Sequence, residues 1–192
     1  MNRAIRENSP AREQILETAG QLFYREGFRA VGVDRIIAES GVAKMTLYKH
    51  FPSKDDLIVA YLERSNQHFW KLYAERVEPL PTARKRLEAL FDWVAERAVS
   101  PACLGCTFSV NAAEFPSLDS PSHQVAIRHK QAILQKLEEL SLEAGAKDPR
   151  GLAESLLLLM DGAWNAARMF GPGSHAGRVA EAAKMLIRQA IP

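Results

Sequence analysis

Residues 44–50 read KMTLYKH, a heptapeptide with two lysines, a histidine, a phenol, a hydroxyl and no carboxylate. Wound as a helix around Leu47, it turns Lys44, Met45, Thr46, Tyr48, Lys49 and His50 outward. The chemistry open to such a set is non-covalent recognition of a polyanion. Ammonium groups pair with phosphates, and phenol, hydroxyl and imidazole groups bond phosphate oxygens. A lysine bonds guanine, and a methionine meets the methyl group of thymine. Residues 40–54 hold three lysines and one histidine with no acid, although the whole chain has a formal net charge of only +2. A local basic patch, rather than a global excess, is what would meet phosphate here.

A second constellation has the look of covalent or metal chemistry. Cys103 and Cys106 form a C-x-x-C, followed by His123 and His129. Thiolates and imidazoles at short spacing bind zinc, and paired thiols do redox work. The histidines are six apart, so on a helix they point about 240° from each other at 3.6 residues per turn. The cysteines also lack the strand–helix setting of a redox fold. They are read as structural, with no metal expected. No nucleophile elbow, phosphate-binding loop or dinucleotide fingerprint is present, since Gly171, Gly173 and Gly177 have the wrong spacing. Glu114 is a lone acid without a base partner, which makes no catalytic case. The expectation is a protein that is not an enzyme and has no cofactor.

The elements that must position these residues are helical from end to end. Ser9-Pro10 starts a first helix whose stripe is Ile15, Leu16, Ala19, Leu22 and Phe23, and Gly27 stops it. A second helix covers residues 33–40 and turns its Val33, Ile36 and Ile37 toward the first. Gly41 makes a tight turn into a third, residues 44–50, anchored by Val42, Leu47 and Phe51. This is a helix-turn-helix, whose second member enters the major groove of DNA. Ser53 and Asp56 read as a capping box for a long fourth helix ending near Arg76. Further helices are read over 82–99, 105–115, from Ser120-Pro121 to Gly145, from Asp148-Pro149 to Gly171, and over 174–190. Apolar residues surround the stretch 152–164, which reads as a helix buried on all sides, in part by a second copy of the chain.

Composition sets the remaining bounds. The chain has 192 residues, 47% hydrophobic and 25% charged, enough for one large helical domain or two small ones. The densest apolar run, residues 156–160, is far short of a membrane span. The N-terminus has no signal-peptide core. A cytoplasmic protein without membrane association is expected.

Thr18-Ala19, Leu22-Phe23, Gly27-Phe28, Val33, Ile36, Gly41-Val42, Thr46-Leu47-Tyr48, His50-Phe51, Ser53-Lys54 and Leu57 together resemble the tetracycline-repressor-type (TetR) family, over about residues 10–60. The segment GCTFSVNAAEFP, residues 105–116, resembles one recurring subgroup. One departure is Gly32, where the family has Thr or Ser. The resemblance implies an all-α subunit of about nine helices. Residues 1–54 would be a three-helix DNA-binding domain, and residues 55–192 a helical effector-binding and dimerisation domain. It implies a homodimeric transcriptional regulator, usually a repressor released from DNA by a small molecule. Pairing through the last two helices is read from their apolar and small residues, against a large monomer core, and two paired recognition helices call for a near-palindromic double-stranded operator. The expected DNA-facing set is Arg35, Lys44, Met45, Thr46, Tyr48, Lys49, His50 and Lys54. Arg3 and Arg6 are read as part of a disordered tail in preference to an arm near the minor groove. The expected effector set is Trp70, Asn111, Phe115, Met160 and Trp164, against a plainer reading of the aromatics as core. The rival readings are a thiol redox switch or enzyme using Cys103 and Cys106, and a helical protein-interaction module.

Overall fold

The computed structural model describes residues 9–192, so Arg3 and Arg6 lie outside the described residues. Among these are nine α-helices and one 3-10 turn, with no strand. In chain order the helices are α1 (Pro10–Glu26), α2 (Val33–Ser40), α3 (Lys44–His50), α4 (Lys54–Arg76), α5 (Ala83–Ala98), α6 (Thr107–Glu114), α7 (Pro121–Glu143), α8 (Pro149–Phe170) and α9 (Val179–Ala190). The chain forms two compact units. Among the described residues one comprises 9–66 and 107–127, the other 67–106 and 128–192.

In the first unit, short polar signals set the helix ends. The Ser9 hydroxyl accepts from the Arg12 amide, and Pro10 occupies the first turn, where its missing N–H costs nothing. Gly41 sits at φ 64°, a left-handed conformation that a side chain resists, and its amide closes α2 by donating to Ile37 O. The Ser53 hydroxyl accepts from the Asp56 amide at 3.0 Å and donates to the Asp56 carboxylate at 2.6 Å, which starts α4. Gly32 stands at the N-cap of α2 without a side-chain bond.

The core of this unit is Ile15, Leu16, Ala19, Phe23, Phe28, Ile36, Leu47, Phe51, Leu57, Ile58 and Leu62, all buried. Each leucine, isoleucine or phenylalanine among them contributes about 1.5–3 kcal/mol on burial. Leu47 anchors α3, and Ile36 anchors α2. Val33, Ile37 and Val42, also expected as anchors, are only half-buried.

The second unit has its own core, built from Leu87, Leu90, Phe91, Val94, Leu137, Leu156, Met160, Ala183 and Ile187. Helix α9 packs on α5 and α8. The stretch 174–190 is not one helix. Ser174 caps a 3-10 turn, His175–Arg178, and α9 starts after it. The stretch 152–164 is not enclosed within the chain. Leu152, Leu156 and Met160 are buried, while Leu158 is 74% exposed.

Candidate nucleic-acid interface

Helix α3 is held by one side and presented by the other. Leu47 is fully buried and Phe51 nearly so, and Arg12 lies over the Phe51 ring at 5.1 Å. The opposite side carries Lys44, Met45, Tyr48 and Lys49, all exposed, with Thr46 and His50 half-buried at its edges. Met45 is 86% exposed and Tyr48 is 41% exposed.

The candidate side chains differ in what already holds them. The Arg35 guanidinium is clasped by Glu26, at 2.8 Å in the longer of two bonds, and by Glu39 at 2.8 Å. Lys44 Nζ lies 3.3 Å from the Asp34 carboxylate. His50 Nε2 is 3.1 Å from the Ser9 hydroxyl, so the start of α1 and the end of α3 meet. Lys54 Nζ donates to the Arg29 carbonyl at 3.5 Å, and its pKa is lowered because burial disfavours the charged form. Lys49 has no ion-pair partner among the described residues. The surface therefore combines preorganised cations with one lysine that pairs with no acid among the described residues.

The residues expected to meet an effector fall in both units. In the first, Asn111 on α6 is fully buried, and neither its amide nitrogen nor its amide oxygen has a hydrogen-bond partner. Such a group costs about 1–3 kcal/mol unless something satisfies it. Phe115 packs edge-on against Phe28, with ring centroids 6.4 Å apart. In the second unit, Met160 is core, and Trp70 and Trp164 pack against that core.

Cys103 is buried, Cys106 is half-buried, and both are free thiols. His123 Nδ1 is 2.7 Å from the Phe115 carbonyl, and His129 is buried beside Phe69. Among the described residues no group of three His, Cys, Asp or Glu side chains is placed to hold a metal. Lys130 pairs with Asp161 and is hydrogen-bonded to Cys106. Burial works against its charge, but the two partners outweigh that and raise its pKa. Sequence spacing gave no sign of this lysine. Nor did it reveal that Glu114, set aside as a lone acid, accepts from the amides of Phe28 and Arg29.

An exposed basic helix joined to a helix anchored by buried Ile36, across a left-handed glycine, is the geometry of a helix-turn-helix, a DNA-binding arrangement. Comparison with known proteins narrows this class. The family described as "Bacterial regulatory proteins, tetR family" matches residues 15–61. The solved structure of SCO4454, a TetR-family transcriptional regulator from Streptomyces coelicolor, is 32% identical and superposes with a TM-score of 0.90, over 95% of this chain and 96% of that one. The chain belongs to the TetR family of transcriptional regulators.

Curated relatives match over shorter stretches. The HTH-type transcriptional activator FasR of Mycolicibacterium smegmatis is 34% identical over 87 residues, 43% of this chain and 40% of its own length. The HTH-type transcriptional repressor KstR2 of Mycobacterium tuberculosis is 29% identical over 91 residues, 47% of this chain and 46% of its own. The chain thus matches less than half the length of each. One is named an activator and the other a repressor. Among the described residues no helix is long and apolar enough to cross a membrane.

Proposed function

We propose that the chain is a ligand-responsive homodimeric repressor. Two copies of α3 enter successive major grooves, roughly 34–36 Å apart, on a near-palindromic operator. The observation that carries this reading is the exposed face of α3, with bare Met45, Tyr48 and Lys49 above a buried Leu47. Arg35, Lys44, Thr46, His50 and Lys54 complete the DNA-facing set. In functional terms residues 1–54 read DNA, and residues 55–192 bind the effector and pair the subunits.

Pairing is supported by exposed apolar side chains in the second unit. Leu158, Met169 and Phe170 on α8 and Met185 on α9 are large apolar side chains left exposed, between 55% and 74%. A second copy meeting these helices would cover them. Effector binding is supported by the unpartnered amide of buried Asn111, beside Phe115 in the sequence of α6 and its end. Trp70, Met160 and Trp164 are the candidates on the second unit. An effector releases the operator only if it binds the DNA-incompetent arrangement more tightly than the competent one.

The test is selection of DNA fragments by the purified protein from its own genome, followed by a metabolite screen for release. The expected result is enrichment of an inverted repeat whose half-sites are about one helical turn apart. Binding without sequence enrichment would remove the operator reading. A second reading, a thiol switch, has one observation in its favour, the Lys130 ammonium hydrogen-bonded to half-buried Cys106. Replacing Cys106 by Ser with unchanged response of DNA binding to thiol reagents would eliminate it.

A further inference from the structure

Glu114, the last residue of α6, uses both oxygens of its carboxylate on one turn of backbone. Oε1 accepts from the Phe28 amide at 3.2 Å, and Oε2 accepts from the Arg29 amide at 2.6 Å. These amides follow Gly27, which ends α1 at φ 90°. The close approach depends on that glycine, because a Cβ at position 27 would lie 2.5 Å from Oε1. The turn is held from other sides too. Arg29 stacks over the Phe115 ring at 5.4 Å, Phe115 meets Phe28 edge-on, and Lys54 donates to the Arg29 carbonyl. A further bond ties α6 to α4, from the Thr107 hydroxyl to the Tyr61 phenol at 3.2 Å.

Residues 27–31 are the approach to α2, whose N-cap, Gly32, supplies no side-chain bond. The start of α2 therefore takes its orientation from what grips the turn before it, and α3 packs on α2. One helical turn before Glu114 on the same helix stands Asn111, buried and unpartnered. Positions i and i+3 share a helix face, so a partner that engages the amide of Asn111 acts on the element that carries the carboxylate.

We propose that Glu114 is a latch for DNA reading. It is a positioning residue that fixes the turn at Phe28 and Arg29 and so sets the stance of α2 and α3. The proposal rests on the DNA-binding reading above and adds a residue outside the reading helix on which it depends. Releasing the latch leaves the operator-competent arrangement only fractionally populated. Apparent affinity falls by that fraction while the bound complex is unchanged.

The test compares the full-length wild type with Glu114→Gln and Glu114→Ala, on an operator selected by the wild type. Gln keeps the shape but turns an N–H₂ donor toward a backbone donor, and Ala removes the group. Both should lower operator affinity on the order of tenfold with an unchanged salt slope, because Glu114 touches no phosphate. Amide exchange at Phe28 and Arg29 should accelerate on the order of tenfold, at temperatures well below melting. Charge alone predicts the opposite sign, since removing a carboxylate favours a polyanion. Faster exchange with unchanged operator affinity would reduce Glu114 to a structural contact and overturn the latch. Unchanged exchange would show that the carboxylate does not hold the turn, and would overturn it as well. If the wild type itself selects no operator, the functional reading falls and the latch with it. If the wild type binds and both variants match it, only the latch falls.

Discussion

Replacing Lys49 by Ala is the most discriminating change on the reading helix. Lys49 is exposed on α3 and forms no ion pair among the described residues, so the substitution removes one charge and breaks no internal bond of its own. If its ammonium neutralises one phosphate, the slope of log Kobs against log salt becomes shallower by about 0.9 per site, or about 1.8 for a dimer. At about 0.1 M salt the same relation gives a loss of about eightfold per site. For two sites it is about sixtyfold, or about 2.4 kcal/mol, converging with wild type toward 1 M. The assay is fluorescence anisotropy of a labelled operator, titrated from about 50 to about 400 mM salt. The phosphate role is refuted if slope and affinity both stay at the wild-type values. It is also refuted if affinity falls at constant slope with preference lost at one base pair, which would make Lys49 a reader of a base edge.

Three further outcomes are expected. The pKa of His129 is depressed to about 3 by burial and by the adjacent Lys130, so the imidazole is neutral in the fold. Its folded value lies below the unfolded value of about 6.5, so stability is full above that pH and drains as pH falls toward 3. Between about pH 7 and pH 5 the loss from this residue is about 2 kcal/mol. Urea unfolding should show His129→Leu escaping that loss, and equal acid sensitivity in both proteins would contradict the assignment. Leu47→Ala empties a fully buried site beneath α3, and should cost about 2–5 kcal/mol in urea unfolding. A cost under about 1 kcal/mol would mean that the helix is not anchored there. Leu158→Glu places a charge on the exposed face of α8. Sedimentation should show a folded monomer where the wild type is a dimer, and a dimer of wild-type strength would move the interface elsewhere.

The sequence was most informative where a signal is local. Ser9, Gly41, Ser53 with Asp56, and Asp148 each act within four residues, and each helix they delimit begins or ends where they stand. Residues 174–190 were harder, because Ser174 caps a tighter 3-10 turn before α9 winds, and one amphipathic pattern runs through both. The stretch 152–164 has apolar residues on every side, but pattern alone does not say which side the chain covers itself. Leu158 is left to solvent or to a second copy. The latch had no local signal at all. Glu114 lies 85 and 86 residues from its partners, and the bonds end on backbone amides, which leave no mark in side-chain identity. Of the sequence-level cues, only Gly27 registered the approach, and it was read as a helix stop.

The same distinction between local and distant partners ranks the cations of the reading surface. Arg35 sits four residues before Glu39, a pairing visible in the sequence, and also holds Glu26 across the fold. A phosphate that recruits Arg35 must draw it away from two carboxylates, and its net gain shrinks accordingly. Lys44 must leave one, Asp34, over an exposed pair of the kind worth about 0–1 kcal/mol. Lys49 gives up no such pair. The expected order of affinity loss on replacement by Ala is therefore Lys49, then Lys44, then Arg35, with the salt slope following the same order. If Arg35 led, its acidic neighbours would be acting as a splint that aims the guanidinium at DNA rather than as competitors. Glu26→Gln would then weaken operator binding instead of strengthening it.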